Sequence, residues 1–152
     1  MGGHGNVAHC DGRAGVAVDP SGKKGCGADT DNSRVRLIGG GVVSTYAGNT
    51  VKCGYKDGPA LVAQFCRPND MQVVKDRLYV VEDGDRVRVV EKGSVSTFAG
   101  GTSSGFADGT STQARFNDPH GIALTSNGDL LVADRNNHAI RVVRPSGQVD
   151  TI

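Results

Sequence analysis

The stretch FNDPHGIALTSNGDLLVADRNNHAIRVV, Phe116 to Val143, holds three short apolar runs, each ended by a polar or glycine-bearing turn. Gly121 to Thr125 reads as one strand, Asp129 to Ala133 as a second after the turn TSNG, and Ala139 to Val143 as a third after DRNNH. A fourth begins at Val149, beyond RPSG. A near copy, RPNDMQVVKDRLYVVEDGDRVRVV, runs from Arg67 to Val90, and a further echo, ADTDNSRVRLI, from Ala28 to Ile38. In the middle copy the strands fall at Met71 to Val74, Arg77 to Val81, Arg86 to Val90 and Val95 to Ala99. LYVV and LLVA are apolar without alternation, as strands covered on both faces require.

The copies recur at a fixed spacing. Asp57-Gly58 meets Asp108-Gly109, Phe65 meets Phe116 and Pro68 meets Pro119, each at an offset of 51, and VVSTYAG (Val42 to Gly48) matches SVSTFAG (Ser94 to Gly100). Val35-Arg36 meets Val87-Arg88 and then Ile140-Arg141, at 52 and 53. A period near fifty made of short strands predicts propeller blades, whereas helical solenoids repeat faster. The 23 glycines agree, because glycine costs roughly 1 kcal/mol inside a helix and serves at tight turns. The expected fold is all-β: one segment, 1–152, with about three four-stranded blades near 8–48, 64–100 and 115–152. Long connectors, 49–63 and 101–114, join them.

The pattern DPHGIALTSNGDLLVADRNNHAIRVV, with ADTDNSRVRLI in the first copy, resembles the NHL-repeat β-propellers. The connectors GYKDGPALVAQF and GFADGTSTQARF resemble a longer variant of those repeats. The resemblance implies a ring of about six blades, so three give a partial or half ring. An arc leaves an unpaired apolar blade face at each end. A homodimer, head to tail, would cover both faces, and a place within a longer chain would do so equally. Strand b of the first copy, KKGCGAD (Lys23 to Asp29), has two glycines where an apolar run belongs, and predicts a loose blade.

Composition narrows the partners. A net charge of +1 gives no global case for a polyanion, and no apolar run reaches membrane-spanning length. No leader is visible, so the expected compartment is cytoplasmic, with no membrane contact. Cys10, Cys26, Cys53 and Cys66 form no CxxC pair, and without a secretory signal they read as free, partly buried thiols.

Strand direction alternates in a meander, so the connectors and the b-to-c turns share one face. Long loops on a rigid scaffold are favoured for binding. The candidate binding face is Tyr55, Lys56, Arg67, Asn69, Phe106, Arg115, His120, Arg135, Asn137 and His138. Asp29, Glu82 and Asp134, which close strand b, and Arg36, Arg88 and Arg141 on strand c read as a structural repeat of inter-blade ion pairs with bonds to turn amides. Phe65, Phe116, Tyr46 and Phe98 read as wedges between blades.

His120 is the sharpest candidate for chemistry. Its PH resembles the zinc-ligand histidines of peptide-amidating lyases, which use an NHL-like propeller. A catalytic zinc wants about three protein ligands, and the equivalent positions carry Asn69 and approximately Ala14. No metal or other cofactor is therefore expected. EDGD, Glu82 to Asp85, lacks the ligand count of an EF-hand loop. The leading expectation is a non-enzymatic scaffold that binds a protein partner. An RNA-binding role through Lys52, Lys56, Arg67, Arg115 and Arg135 stands second, and a metal-dependent lyase or hydrolase third.

Overall fold

The computed structural model describes residues 15–19, 21–49 and 52–152. Cys10, the position near Ala14 and the start of the expected first blade lie outside these residues. Among the described residues fourteen strands form three antiparallel sheets. The first contains β1 (Val16–Val18), β2 (Gly25–Asp29), β3 (Arg34–Gly39) and β4 (Val42–Ala47) in sequence order. The second contains β5 (Gly58–Pro59), β6 (Pro68–Val74), β7 (Arg77–Glu82), β8 (Arg86–Glu91) and β9 (Ser94–Ala99). The third contains β10 (Gly109–Thr110), β11 (Pro119–Leu124), β12 (Leu130–Asp134), β13 (Ala139–Val143) and β14 (Gln148–Thr151).

Each sheet is a blade, and the innermost strands β1, β6 and β11 lie side by side. Gly15 N–H donates to the Asn69 carbonyl at 3.0 Å, and Ile122 N–H donates to the Asp70 carboxylate at 3.0 Å, so neighbouring blades are joined along this inner rim. Two apolar layers fill the spaces between blades. Ala28, Val35, Phe65, Met71, Val80 and Val90 pack between the first and second, and Val81, Val87, Phe116, Ile122, Val132 and Val143 between the second and third. Strands of the middle blade bury both faces, which is why their sequences do not alternate. Among the described residues no helix is long and apolar enough to cross a membrane.

Blades 2 and 3 are five-stranded rather than four-stranded. Each connector lays a two-residue strand against the outermost strand of the blade it leads into, β5 on β9 and β10 on β14. A pair of residues with no apolar signature gives no strand signal in sequence. Strand b of the first blade is also better formed than its two glycines suggest: Gly25–Asp29 pairs with β3 along its whole length, because backbone bonds to both neighbours compensate for missing side chains. The cysteine expectation is corrected. Cys53 and Cys66 form a disulfide that ties the first connector to the start of β6, and Cys26 is free. Thirteen positions of sequence separate the two cysteines, and the fold of the connector brings them together.

Candidate functional site

Each b-to-c turn ends on a left-handed residue, Ser33, Asp85 and His138, with φ of 52°, 59° and 52°, and the residue two before each innermost-strand bulge repeats this at Arg67 and Asp118, at 50° and 56°. Aspartate and serine tolerate this region through local hydrogen bonds. The bulges have a purpose. Pro68 pairs with Glu82 and Asp70 with Val81, leaving Asn69 as the extra residue, and Pro119 and Gly121 leave His120 in the same way. A bulge re-aims a side chain, and here it directs Asn69 and His120 to the mouth of the inner rim.

A cleft of about 280 Å³ opens there, lined by Thr30, Asp31, Arg67, Asn69, Asp83, His120 and Arg135. All come from b-to-c turns or from the starts of innermost strands, on the face that carries the connectors. Arg67 pairs with Asp83 at 3.1 Å and Asp31 at 3.4 Å, joining the turns of blades 1 and 2. Arg135 pairs with Asp118. Asn69 donates to Asp83 at 2.6 Å and to the Pro119 carbonyl at 3.2 Å, crossing from blade 2 to blade 3. Asp83, Asp118 and His120 each offer a ligand atom within 4.8 Å of the others, and His120 Nδ1 is buried without a hydrogen-bond partner. Asp118 N–H donates to Asp85, whose carboxyl is held above its ordinary range by burial and by the charges of Asp118, Asp134 and Asp83.

The connectors are fastened beside this cleft by buried arginines. Arg88 bonds Glu82 at 3.0 Å, Asp57 at 2.5 Å and the Gln64 carbonyl at 3.0 Å. Arg141 repeats the pattern with Asp134 at 2.8 Å, Asp108 at 2.9 Å and the Arg115 carbonyl at 2.8 Å. Both guanidiniums are fully buried and lie over phenylalanine rings, Phe65 and Phe116. The acid-arginine pairs thus join strands b and c of one sheet rather than two blades, a correction to the inter-blade expectation. Cross-strand register accounts for it: Val80 stands opposite Arg88, so the arginine reaches Glu82 two residues along the neighbouring strand. The carboxylates also accept turn amides, Cys66 N–H to Glu82 at 2.9 Å and Asn117 N–H to Asp134 at 2.7 Å. In the first blade Arg36 and Asp29 pair at 2.8 Å.

The other candidate residues are spread around this centre. Tyr55 is half exposed on the first connector, stacked 4.4 Å from the Arg86 guanidinium, and Phe106 is exposed on the second, 5.1 Å from that of Arg141. The Lys56 carbonyl accepts from Arg88 while its side chain is exposed. Arg115 turns back on its own loop, to the carbonyls of Thr112 and Ala114. Asn137 holds the Gly105 carbonyl and Asp134 at 2.7 and 2.8 Å. His138 lies apart, in a shallow hollow with Ala133, Ile140 and Ile152 on the outer side of blade 3. Arg67, Asn69, His120 and Arg135 are brought together, whereas Tyr55, Lys56, Phe106, Arg115, Asn137 and His138 are not part of the cleft. Asp31, Asp83 and Asp118 were missed as site residues. The acidic run EDGD was the visible signal for Asp83, with Glu82 turning inward and Asp83 outward, while Asp31 and Asp118 stand in other turns. A larger cavity, about 440 Å³, lies on the opposite face between blades 2 and 3, over Tyr79, Phe98 and Leu130.

Residues 116–143 match the family model described as NHL repeat. NHL repeat-containing protein 2 of Gallus gallus is 34% identical over 131 residues, covering 76% of this chain and 18% of that protein. Protein SUPPRESSOR OF QUENCHING 1, chloroplastic, of Arabidopsis thaliana is 28% identical over 144 residues, covering 86% of this chain and 14% of that protein. The chain therefore spans less than a fifth of these relatives. An auxiliary nutrient binding protein from Bacteroides thetaiotaomicron superposes with a TM-score of 0.79 at 22% identity, over 90% of this chain and 36% of that one, a likeness of fold alone.

Proposed function

Since the chain belongs to the NHL-repeat family of β-propellers, we propose that it is a non-enzymatic interaction module whose connector-bearing face binds a protein partner. The observation that carries this reading is the fastening of both connectors by Arg88 and Arg141, which presents exposed Tyr55 and Phe106 on a rigid base. Aromatic side chains held in place lose little conformational freedom on binding, and aromatic anchors dominate protein interfaces.

Charge pairing on the same face favours protein over RNA. Arg67 is matched by Asp31 and Asp83, Arg135 by Asp118, and Arg115 is spent on its own loop carbonyls. Phosphate binding needs uncompensated cations. The test is to cross-link the chain to its partner in cell extract, map the contacts by mass spectrometry and measure affinity for the purified partner. Cross-links on residues 52–69 and 104–120, with affinity falling about 10-fold in Tyr55→Ala or Phe106→Ala, support the reading. Contacts confined to the opposite face overturn it, and a steep loss of RNA affinity with salt, with no protein partner, replaces it by the RNA reading.

A further inference from the structure

The three ligand-bearing side chains at the cleft come from both sides of a seam. Asp83 belongs to the b-to-c turn of blade 2, and Asp118 and His120 to the start of the innermost strand of blade 3. Their ligand atoms lie within 4.8 Å of one another. Donors on one small divalent ion, each about 2.1 Å from it, stand roughly 3 to 4 Å apart, so the three need only a small adjustment to share an ion.

Comparison of the two bulges adds a second observation. Asn69, the bulge residue of blade 2, has its amide in use, donating to Asp83 and to the Pro119 carbonyl. His120 stands at the same place in blade 3, yet its Nδ1 is buried without a partner. A buried polar nitrogen left unpaired is costly and calls for an explanation. The neighbourhood is also rich in negative charge, since Asp118 and Asp83 both act on the carboxyl of Asp85 beyond the effect of burial.

We propose that Asp83, Asp118 and His120 form a binding site for a first-row divalent cation of the zinc class, bridging blades 2 and 3. Two carboxylates and one imidazole suit zinc or manganese, whereas calcium takes six to eight oxygens. Arg67 and Arg135 hold the same carboxylates from solvent-exposed positions, so an ion takes the place of their guanidiniums at Asp83 and Asp118. Three protein ligands leave at least one coordination position of such an ion for water or another group.

The experiment uses the full chain, stripped with a chelator and dialysed against zinc, with metal content measured by elemental analysis and cobalt followed by its visible absorption. One equivalent of zinc and a zinc-dependent rise in melting temperature are expected. His120→Asn installs the residue that blade 2 carries at this place, and should lower zinc affinity by at least about 100-fold while leaving the metal-free melting temperature unchanged. Should that variant fail to fold, Asp118→Asn gives the same readout. Absence of stoichiometric metal overturns the assignment. So does unchanged affinity in the folded variants, which would place the ion away from the cleft.

Discussion

In the layer between blades 1 and 2 the Arg88 guanidinium stands 3.0 Å from the Glu82 carboxylate, and neither side chain is exposed. Burial pushes the Glu82 carboxyl from 4.5 up to about 7, against the opposing pull of Arg88, the Cys66 N–H and Arg86. Between those two values the folded chain holds a proton that the unfolded chain has lost. Glu82 therefore contributes a stability that is full below about pH 4.5 and declines as pH rises to about 7. Glu82→Gln should remove this component. Urea unfolding at several pH values checks it, and an identical pH profile for variant and parent would refute the account.

Removing the arginine is harsher. Arg141→Met leaves Asp134 buried without its cation and frees Asp108 and the connector, at an expected cost of about 3 to 5 kcal/mol. Arg36→Met should cost less, because the Arg36 side chain is 15% exposed. Denaturant midpoints for the two variants, compared at one pH, test the ordering.

Two glycines separate steric from conformational demand. Gly100 has φ +97°, and a Cβ there would meet the Asp85 carbonyl oxygen at 2.4 Å, whereas Gly128, at φ +89°, has nothing within 4 Å. Gly128→Ala should cost about 1 kcal/mol from the backbone alone. Gly100→Ala should cost clearly more, since backbone must move. Thermal unfolding of both variants gives the difference.

The Cys53–Cys66 disulfide closes a loop of about the length for which chain entropy predicts roughly 3 kcal/mol. The Cys53→Ser, Cys66→Ser double variant should lose about that much stability and gain protease sensitivity between residues 52 and 66. Limited proteolysis with and without reductant measures it. Equal cleavage in both conditions would mean that Arg88 and the β5–β9 pairing hold the connector without the disulfide.

Much of the architecture was readable because the blade repeats its chemistry. Strand boundaries followed the turns TSNG, DRNNH and RPSG to within one or two residues in the third blade, and Phe65 and Phe116 lie fully buried between blades. Tyr46 and Phe98 occupy bulges, opposite no partner residue, and pack against the same layers. What escaped were features made by distant segments meeting: the disulfide, the short strands β5 and β10, and the gathering of Asp83 and Asp118 beside His120. Each depends on the path of a connector or turn in space, which a local pattern does not encode. His120 was legible as unusual through its repeat position, but its acidic companions were visible only as scattered charge.

The pairing of β5 with β9 and of β10 with β14 has a consequence for behaviour at high concentration. A sheet whose last strand offers a row of free amides and carbonyls is a template on which foreign strands grow. In blades 2 and 3 that row is met by a strand of only two residues, and in β5 one of them is Pro59, which has no amide hydrogen to donate. Strand addition at these two rims is thereby hindered where the short strands pair, whereas among the described residues the outer strand β4 of blade 1 carries no such cover.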